Sequence, residues 1–491
     1  MAFLIRHLAL LCATLLGLAA APAAWPANAP PPLPAEVRTA HQVVLAGKPL
    51  RYVAAAGALT LKEASGERVG DMAYVAYMAE GADAARRPIT FVFSGGPGYS
   101  SAELHLGLAG PVMLKPDAWD AGVVPGSPPL RADNPQTWLA FTDLVFVDAI
   151  GTGWSQAAGD AAMAEKVFFG WKRDIAWLSR FVADWLARNN RMASPKYLAG
   201  ESYGGFRVPQ IAYHLQLEEG VGLAGLVMIS PVIDFSLRLS TNGPMDWVAR
   251  LPVMAAARLE RDTGRDVDVR ALADAQDYAL GDYLRDLMRP QSDTAAQQRM
   301  AGRVAALSGL DEALVRRLSA RIDPATFNRE FRRGQGLVGS RYEASRALPD
   351  PYAERTANDT VDPTDAYVAP IASALVDHVN NTLHWRPDAP FHYADRSISK
   401  RWQYPSGRVD GSEDLRKALA LDPQMRLLVA HGATDFVTPY LASKIILDQF
   451  SPVLAGTRVQ LKLYPGGHAF YARPASRSAF TADVKALYER Q

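Results

Sequence analysis

Gly200-Glu201-Ser202-Tyr203-Gly204 sets a serine between two glycines. The short apolar run Lys196 to Ala199 precedes it, and a stretch with Val208, Ile211, Ala212 and Leu215 follows. Strand before and helix after is the context of a nucleophile elbow, the sharp turn that lifts a serine hydroxyl clear of a sheet edge. Such a turn strains the serine's backbone and leaves no room for bulk two residues away, a need that Gly200 and Gly204 meet. An ordinary glycine-rich turn with an incidental serine fits the pattern alone equally well.

A serine hydroxyl needs a base within hydrogen-bond reach to act as a nucleophile. His468, in Tyr464-Pro465-Gly466-Gly467-His468, and Asp435, in His431-Gly432-Ala433-Thr434-Asp435, each follow a strand-like run. In the order Ser, Asp, His they predict a triad in which Asp435 fixes the imidazole tautomer of His468. His431 is the competing base, but it precedes Asp435 and reverses that order. An oxyanion hole requires backbone N–H donors. One is expected from Tyr203, the other from the glycine loop Ser94-Gly95-Gly96-Pro97-Gly98, with Gly96 the chosen donor. No His, Cys or Glu spacing suggests a zinc site, and no cofactor is expected.

Positioning these residues calls for a parallel sheet. Continuous apolar runs at Ile89–Phe93, Leu144–Val147, Tyr197–Ala199, Leu226–Ile229, Leu427–Ala430 and Val459–Tyr464 read as buried strands. A helix over Trp171–Arg188 separates two of them. Between about His41 and Tyr77 shorter runs suggest hairpins, with Gly57 and either Gly66 or Gly70 at the turns. From 239 to 404 helical, alanine-rich, charged stretches such as Val267–Met288 and Asp311–Arg321 replace strands. The expected fold class is therefore α/β: a doubly wound, mostly parallel sheet whose two parts (41–238 and 405–491) flank a mainly helical cap insertion (239–404). Gly151-Thr152-Gly153 is no dinucleotide fingerprint, since Gln156 stands at the third glycine position.

The chain has 491 residues, 49% apolar and 21% charged, with 52 basic against 51 acidic side chains. That balance excludes the basic field of a nucleic-acid binder and points to a peptide or small acyl substrate. Arg6 and His7, the apolar run Leu8–Leu18 and Ala21-Pro22-Ala23 read as a cleaved signal peptide over 1–23, followed by a Pro/Ala-rich linker over 24–40. Cys12, the single cysteine, lies inside that signal. A mature chain without cysteine, in an oxidising compartment, must rely on its core for stability. The expected location is the bacterial periplasm or the medium.

Ser94 to Ser101, Asn134 to Trp138, Asp148 to Ser155, Gly200 to Gly205, Asp435 and Gly466-Gly467-His468 together resemble the serine carboxypeptidase family. The resemblance implies an α/β-hydrolase core with a cap, and release of C-terminal residues through an acyl-enzyme on Ser202. Gly96 and Tyr203 match the family's oxyanion-hole positions, and Ser94, Gly95 and Glu201 its substrate-binding ones. The family recognises a terminal carboxylate with an asparagine and a pair of glutamates. Here Ser94 stands at the asparagine position, Glu201 is kept, and Leu108 replaces the second glutamate. Tyr99 replaces a cysteine of the glycine loop. Without a partner for Glu201 the like-charge effect is missing, so activity less restricted to acid pH is expected. Ser100-Ser101-Ala102-Glu103 reads as a capping box that opens a helix, the alternative being that Glu103 replaces the missing carboxylate, and His105 reads as a locally bonded side chain. An aminopeptidase, esterase or acyltransferase on the same triad is the alternative activity.

Overall fold

The computed structural model describes residues 30–115, 131–239, 243–355, 361–404 and 409–489. The expected signal peptide, its Cys12 and residues 24–29 of the expected linker lie outside the described residues; 30–36 carry no regular structure, and 37–40, also assigned to the linker, are strand instead.

Three long strands, β1 (Val37–Leu45), β2 (Lys48–Lys62) and β3 (Arg68–Ala79), form an antiparallel meander. The first turn falls at Ala46-Gly47 and the second at Gly66. Gly57 and Gly70 lie inside strands instead of at turns. Both are sites of close approach, where a Cβ would meet Glu36 at 2.9 Å and the Gln156 carbonyl at 2.8 Å. The parallel part comprises β4 (Ile89–Phe93), β5 (Asp143–Val147), β6 (Lys196–Glu201), β7 (Gly225–Ile229), β8 (Arg426–Gly432) and β9 (Val459–Tyr464). Their spatial order is β1-β2-β3-β5-β4-β6-β7-β8-β9, with Gln156–Ala157 pairing β3 to make a 10-stranded sheet. β5 meets β3 antiparallel, and from β5 onward every pairing is parallel.

β4, β5 and β7 are buried throughout, which is why they read as unbroken apolar runs. Their side chains alternate between two cores. Phe91, Phe93, Val145 and Leu198 face helix α2 (Trp171–Arg188) through Phe181 and Trp185. Val92, Phe146, Tyr197 and Ala199 face Trp138, Phe470 and Phe480.

Between β7 and β8 the described chain is mostly helical, led by α4 (Met245–Thr263). Val267–Met288 is broken into short α, 3-10 and π turns. One strand pair does occur here, Leu337–Gly339 with Ala347–Pro349, and its tip reaches the ends of β8 and β9. The apolar core of this segment includes Phe436 and Tyr440, beside Asp435, so it packs against the sheet's C-terminal edge.

Candidate active site

Ser202 follows β6 and caps α3 (Tyr203–Leu217), with φ 58° and ψ −118°. This is backbone that a non-glycine residue avoids, and it persists where surroundings over-determine it. Its N–H donates to the Ile229 carbonyl at 2.9 Å, and its own carbonyl accepts from Val232. A Cβ on Gly200 would lie 2.3 Å from the Gly204 carbonyl oxygen, and one on Gly204 would lie 2.4 Å from that of Phe93. Gly95 is equally constrained: its Cβ would sit 2.7 Å from that of Ser202. The two glycine motifs are therefore one packed unit.

His468 and Asp435 arrive from the ends of β9 and β8. His468 Nδ1 lies 2.8 Å from Asp435 Oδ2. Asp435 is fully buried and accepts from the N–H groups of Val437 (2.7 Å) and Thr438 (3.0 Å), and from the Thr438 hydroxyl. Burial would raise its pKa, but the His468 charge and these donors hold it below the usual carboxylate value. For His468 burial works toward the neutral form, yet Asp435 outweighs it and the pKa rises. With Nδ1 engaged, Nε2 is the nitrogen left for Ser202. Both residues line one cavity of about 450 Å³. Their hydroxyl and ring are not hydrogen-bonded in this conformation, a contact that often closes only with substrate bound. His431 is removed from contention, because its Nε2 bonds the Ser443 hydroxyl at 2.9 Å in full burial.

Tyr203 is the first helical residue, a position whose N–H has no intrahelical acceptor. Gly96, at φ +105°, lines the same cavity with Ser94 and Gly95. The Ser94 carbonyl is held by Arg207 Nη1 at 2.7 Å, and Arg207 in turn forms a two-pronged pair with Asp174 at 2.7 and 3.0 Å. Arg207 and Asp174 tie the glycine loop to α3 and α2. They were not singled out from sequence, although an arginine on the buried face of the helix after Ser202 was a readable signal.

Glu201 is buried and accepts from the Tyr471 hydroxyl at 2.6 Å. Glu103 lines the cavity too and accepts from Tyr393 at 3.3 Å. Burial raises the Glu201 pKa, and the Glu103 charge raises it further. Burial likewise raises that of Glu103. The expected absence of a like-charge partner is thus overturned. Leu108 is fully buried in the core, while Glu103, five residues earlier, comes to the site.

The capping-box reading of Glu103 fails for a local reason. The hydroxyl of Ser100, the residue that would cap, has no hydrogen-bond partner among the described residues, and the helix α1 (Ala102–Leu104) is entered from Ser101 instead. Ser101 makes no side-chain cap either; its hydroxyl donates to Asp148 at 2.8 Å, and its N–H does so at 2.7 Å. Glu103 makes no return bond to the cap and lines the cavity. Two of the sequence motifs serve this helix. Asp148 anchors its start, and Gly153 must be glycine because a Cβ would overlap Asp148 at 1.8 Å. Asn134 holds its far end by donating to the Leu108 and Gly110 carbonyls at 2.8 and 2.9 Å. His105 packs as expected, stacked on Phe146 and bonded to Tyr77.

The hairpin tip 341–344 had no sequence signal, and it clamps the two loops that carry Asp435 and His468. The Tyr342 carbonyl accepts from His468 N–H at 2.6 Å, the Arg341 carbonyl from Phe436, and Ala344 N–H donates to Thr434. Glu343 accepts from Gly467 N–H at 2.6 Å and from the Thr434 hydroxyl, and it pairs with Arg473 at 3.0 Å. Gly467 is glycine because the tip passes over it: a Cβ would lie 2.1 Å from the Tyr342 carbonyl oxygen. Among the described residues no cluster of His, Cys, Asp and Glu could hold a metal, and no helix is long and apolar enough to cross a membrane.

A mostly parallel sheet with an antiparallel edge, helices on both faces and an elbow at the end of its central strand is the α/β-hydrolase fold. The solved Kex1(Δ)p, a prohormone-processing carboxypeptidase from Saccharomyces cerevisiae, superposes with a TM-score of 0.54 at 14% identity, covering 89% of this chain and 91% of that one. This likeness concerns the fold. In sequence, residues 52–462 match the serine carboxypeptidase family profile, and the chain belongs to that family. Curated relatives include serine carboxypeptidase-like 13 of Arabidopsis thaliana, 27% identical over 30% of this chain and 33% of that protein. Another is the pheromone-processing carboxypeptidase KEX1 of Yarrowia lipolytica, 34% identical over 29% of this chain and 21% of that protein. The chain thus spans about a third of the length of the first of these relatives.

Proposed function

We propose that this protein is a serine carboxypeptidase that releases C-terminal residues from peptides. The observation that carries the reading is the Glu103–Glu201 pair beside Ser202 and His468 in one cavity. Two neighbouring buried carboxyls retain a proton, and a protonated carboxyl can donate a hydrogen bond to a substrate's terminal carboxylate. Ser202 Oγ attacks the last peptide carbonyl while His468 Nε2 takes its proton, and Asp435 stabilises the imidazolium. The N–H groups of Gly96 and Tyr203 receive the developing oxyanion. His468 then protonates the leaving amine, the C–N bond breaks, and water attacks the acyl-serine by the same base. Export through the signal-like segment 1–23 belongs to this reading, placing the enzyme in the periplasm or medium of a bacterium.

Blocked peptides with free and amidated C-termini test it. Turnover of the free acid should fall at least about tenfold on amidation, the worth of one charge-assisted hydrogen bond. Equal turnover of the two sinks the carboxypeptidase assignment and leaves an esterase, aminopeptidase or acyltransferase. A fluorophosphonate probe should label the enzyme but not Ser202→Ala.

A further inference from the structure

The cavity around Ser202 is lined by Arg341, Arg346, Arg396, Lys400 and Arg473. Most of these charges are already answered. Arg396 pairs with Asp365 at 3.0 Å. Arg473 pairs with Glu260, Asp266 and Glu343, and Arg346 has interactions beyond its bond to the Tyr367 hydroxyl, so it is not a free charge. Those pairings also neutralise Asp365 and Glu343, two acidic groups of the same lining. Glu103 and Glu201, by Ser202, are pushed toward their neutral forms by burial.

Arg341 and Lys400 differ. Among the described residues neither has a carboxylate within ion-pair distance. The Arg341 guanidinium lies over the Tyr342 ring at 4.8 Å and donates to its hydroxyl at 3.0 Å. That ring is 5.6 Å from the His468 ring, so Arg341 is fixed near the catalytic base. Lys400 comes from a separate element, helix α5 (Arg396–Arg401), which is held to the glycine loop by the Ser399 hydroxyl on the Pro97 carbonyl at 2.6 Å. Two cations from separate elements thus face one space of about 450 Å³ with no matching anion. A concave site with an uncompensated charge concentrates ligands of opposite sign.

We infer that the cavity is an acidic-peptide site: besides the terminal carboxylate it takes a carboxylate side chain within two residues of the scissile bond, held between Arg341 and Lys400. The inference rests on the carboxypeptidase reading and adds the substrate class to it. The chemistry also excludes a strong preference for basic side chains at these positions, which would meet two like charges.

The test uses blocked tripeptides with free C-termini in matched pairs, Glu against Gln, at the released residue and at each of the two preceding it. At low ionic strength kcat/KM for the Glu peptide should exceed that for Gln about tenfold at one position at least. The ratio should fall toward one at 0.5 M salt (about a 4 Å screening length), and in R341Q/K400Q at low salt. Circular dichroism and fluorophosphonate labelling of that double variant show whether it is folded. Ratios near or below one at all three positions in the native enzyme overturn the inference while leaving the carboxypeptidase reading intact. A tenfold ratio that survives in the folded double variant overturns the assignment to these two residues. Failure to cleave any free-acid peptide overturns both readings together.

Discussion

Glu343→Gln is the substitution that best separates a residue that positions the catalytic loops from one that merely fills space. Glu343 is 7% exposed; one carboxylate oxygen accepts from Gly467 N–H at 2.6 Å, and the other from the Thr434 hydroxyl, the Ser345 hydroxyl and Arg473. An amide of the same shape has only one acceptor oxygen. Its NH2 must face either the Gly467 N–H or the Arg473 guanidinium, groups that only donate, so at least one donor loses its bond while the hydroxyls on that side must turn to accept. A hydrogen bond to a charged group is worth about 1.5–3 kcal/mol, and Arg473 keeps Glu260 and Asp266 in either case. A loss of about 2 kcal/mol is therefore expected in urea unfolding. Gly467 directly precedes His468, and Thr434 directly precedes Asp435, so the relaxation falls on the loops that set base against nucleophile. A shift approaching 1 Å there costs about 100-fold in rate, and half that shift about tenfold. The expected result is a kcat reduced 10- to 100-fold with KM within about threefold, because the carboxyl pair on Glu103 and Glu201 is untouched. Fluorophosphonate labelling should slow in parallel. The reasoning is refuted if kcat stays within twofold of native while unfolding shows the lost stability, since the hairpin tip would then be structural only.

Three further outcomes follow from the same geometry. Glu103→Met removes the like charge that helps hold the Glu201 proton, so the Glu201 pKa falls; the pH at which KM rises should move down by about one unit, roughly tenfold in KM within that window, and an unmoved or upward-shifted KM–pH profile counts against the pair. Ser202→Gly abolishes turnover yet should raise stability by about 1 kcal/mol, because glycine adopts φ 58° without strain; a lowered melting temperature contradicts the strained elbow. Asp174→Asn leaves the buried Arg207 guanidinium without its counter-charge, and unfolding free energy should drop by about 3 kcal/mol; a loss under 1 kcal/mol would show that the pair is dispensable.

The sequence was informative where chemistry and local pattern coincide. Ser202 and Asp435 each follow a strand buried almost throughout, and such strands announce themselves because both faces are covered and nearly every residue must be apolar. The helix Trp171–Arg188 was legible for the same reason, with its buried face recurring at helical spacing. His468 follows β9, which was expected to be buried but is the half-buried edge strand, where Gln460 and Lys462 interrupt the apolar run. Motifs were legible too, but not their work. Asn134 to Trp138 and Asp148 to Ser155 mark the family, yet only their hydrogen bonds show that they hold the short helix carrying Glu103. The turns of the first strands were partly misplaced, because Gly57 and Gly70 answer to neighbours that are distant in sequence.

What the chain's order alone determined is the candidate nucleophile, the candidates for its helpers and the sheet that presents them. These depend on residue type next to a strand end, a relation that is local. The tertiary structure decided that Glu103 and not position 108 faces Glu201, that His431 is spent on Ser443, and that Glu343 and Arg341 belong to the site at all. Each of those outcomes turns on what an element from elsewhere in the chain holds in place: Asp148 fixes Ser101 at the start of the helix that carries Glu103, and a hairpin tip more than 120 residues before His468 closes over its loop. Distances between groups so far apart in sequence are fixed by packing, and packing is not written in any one segment.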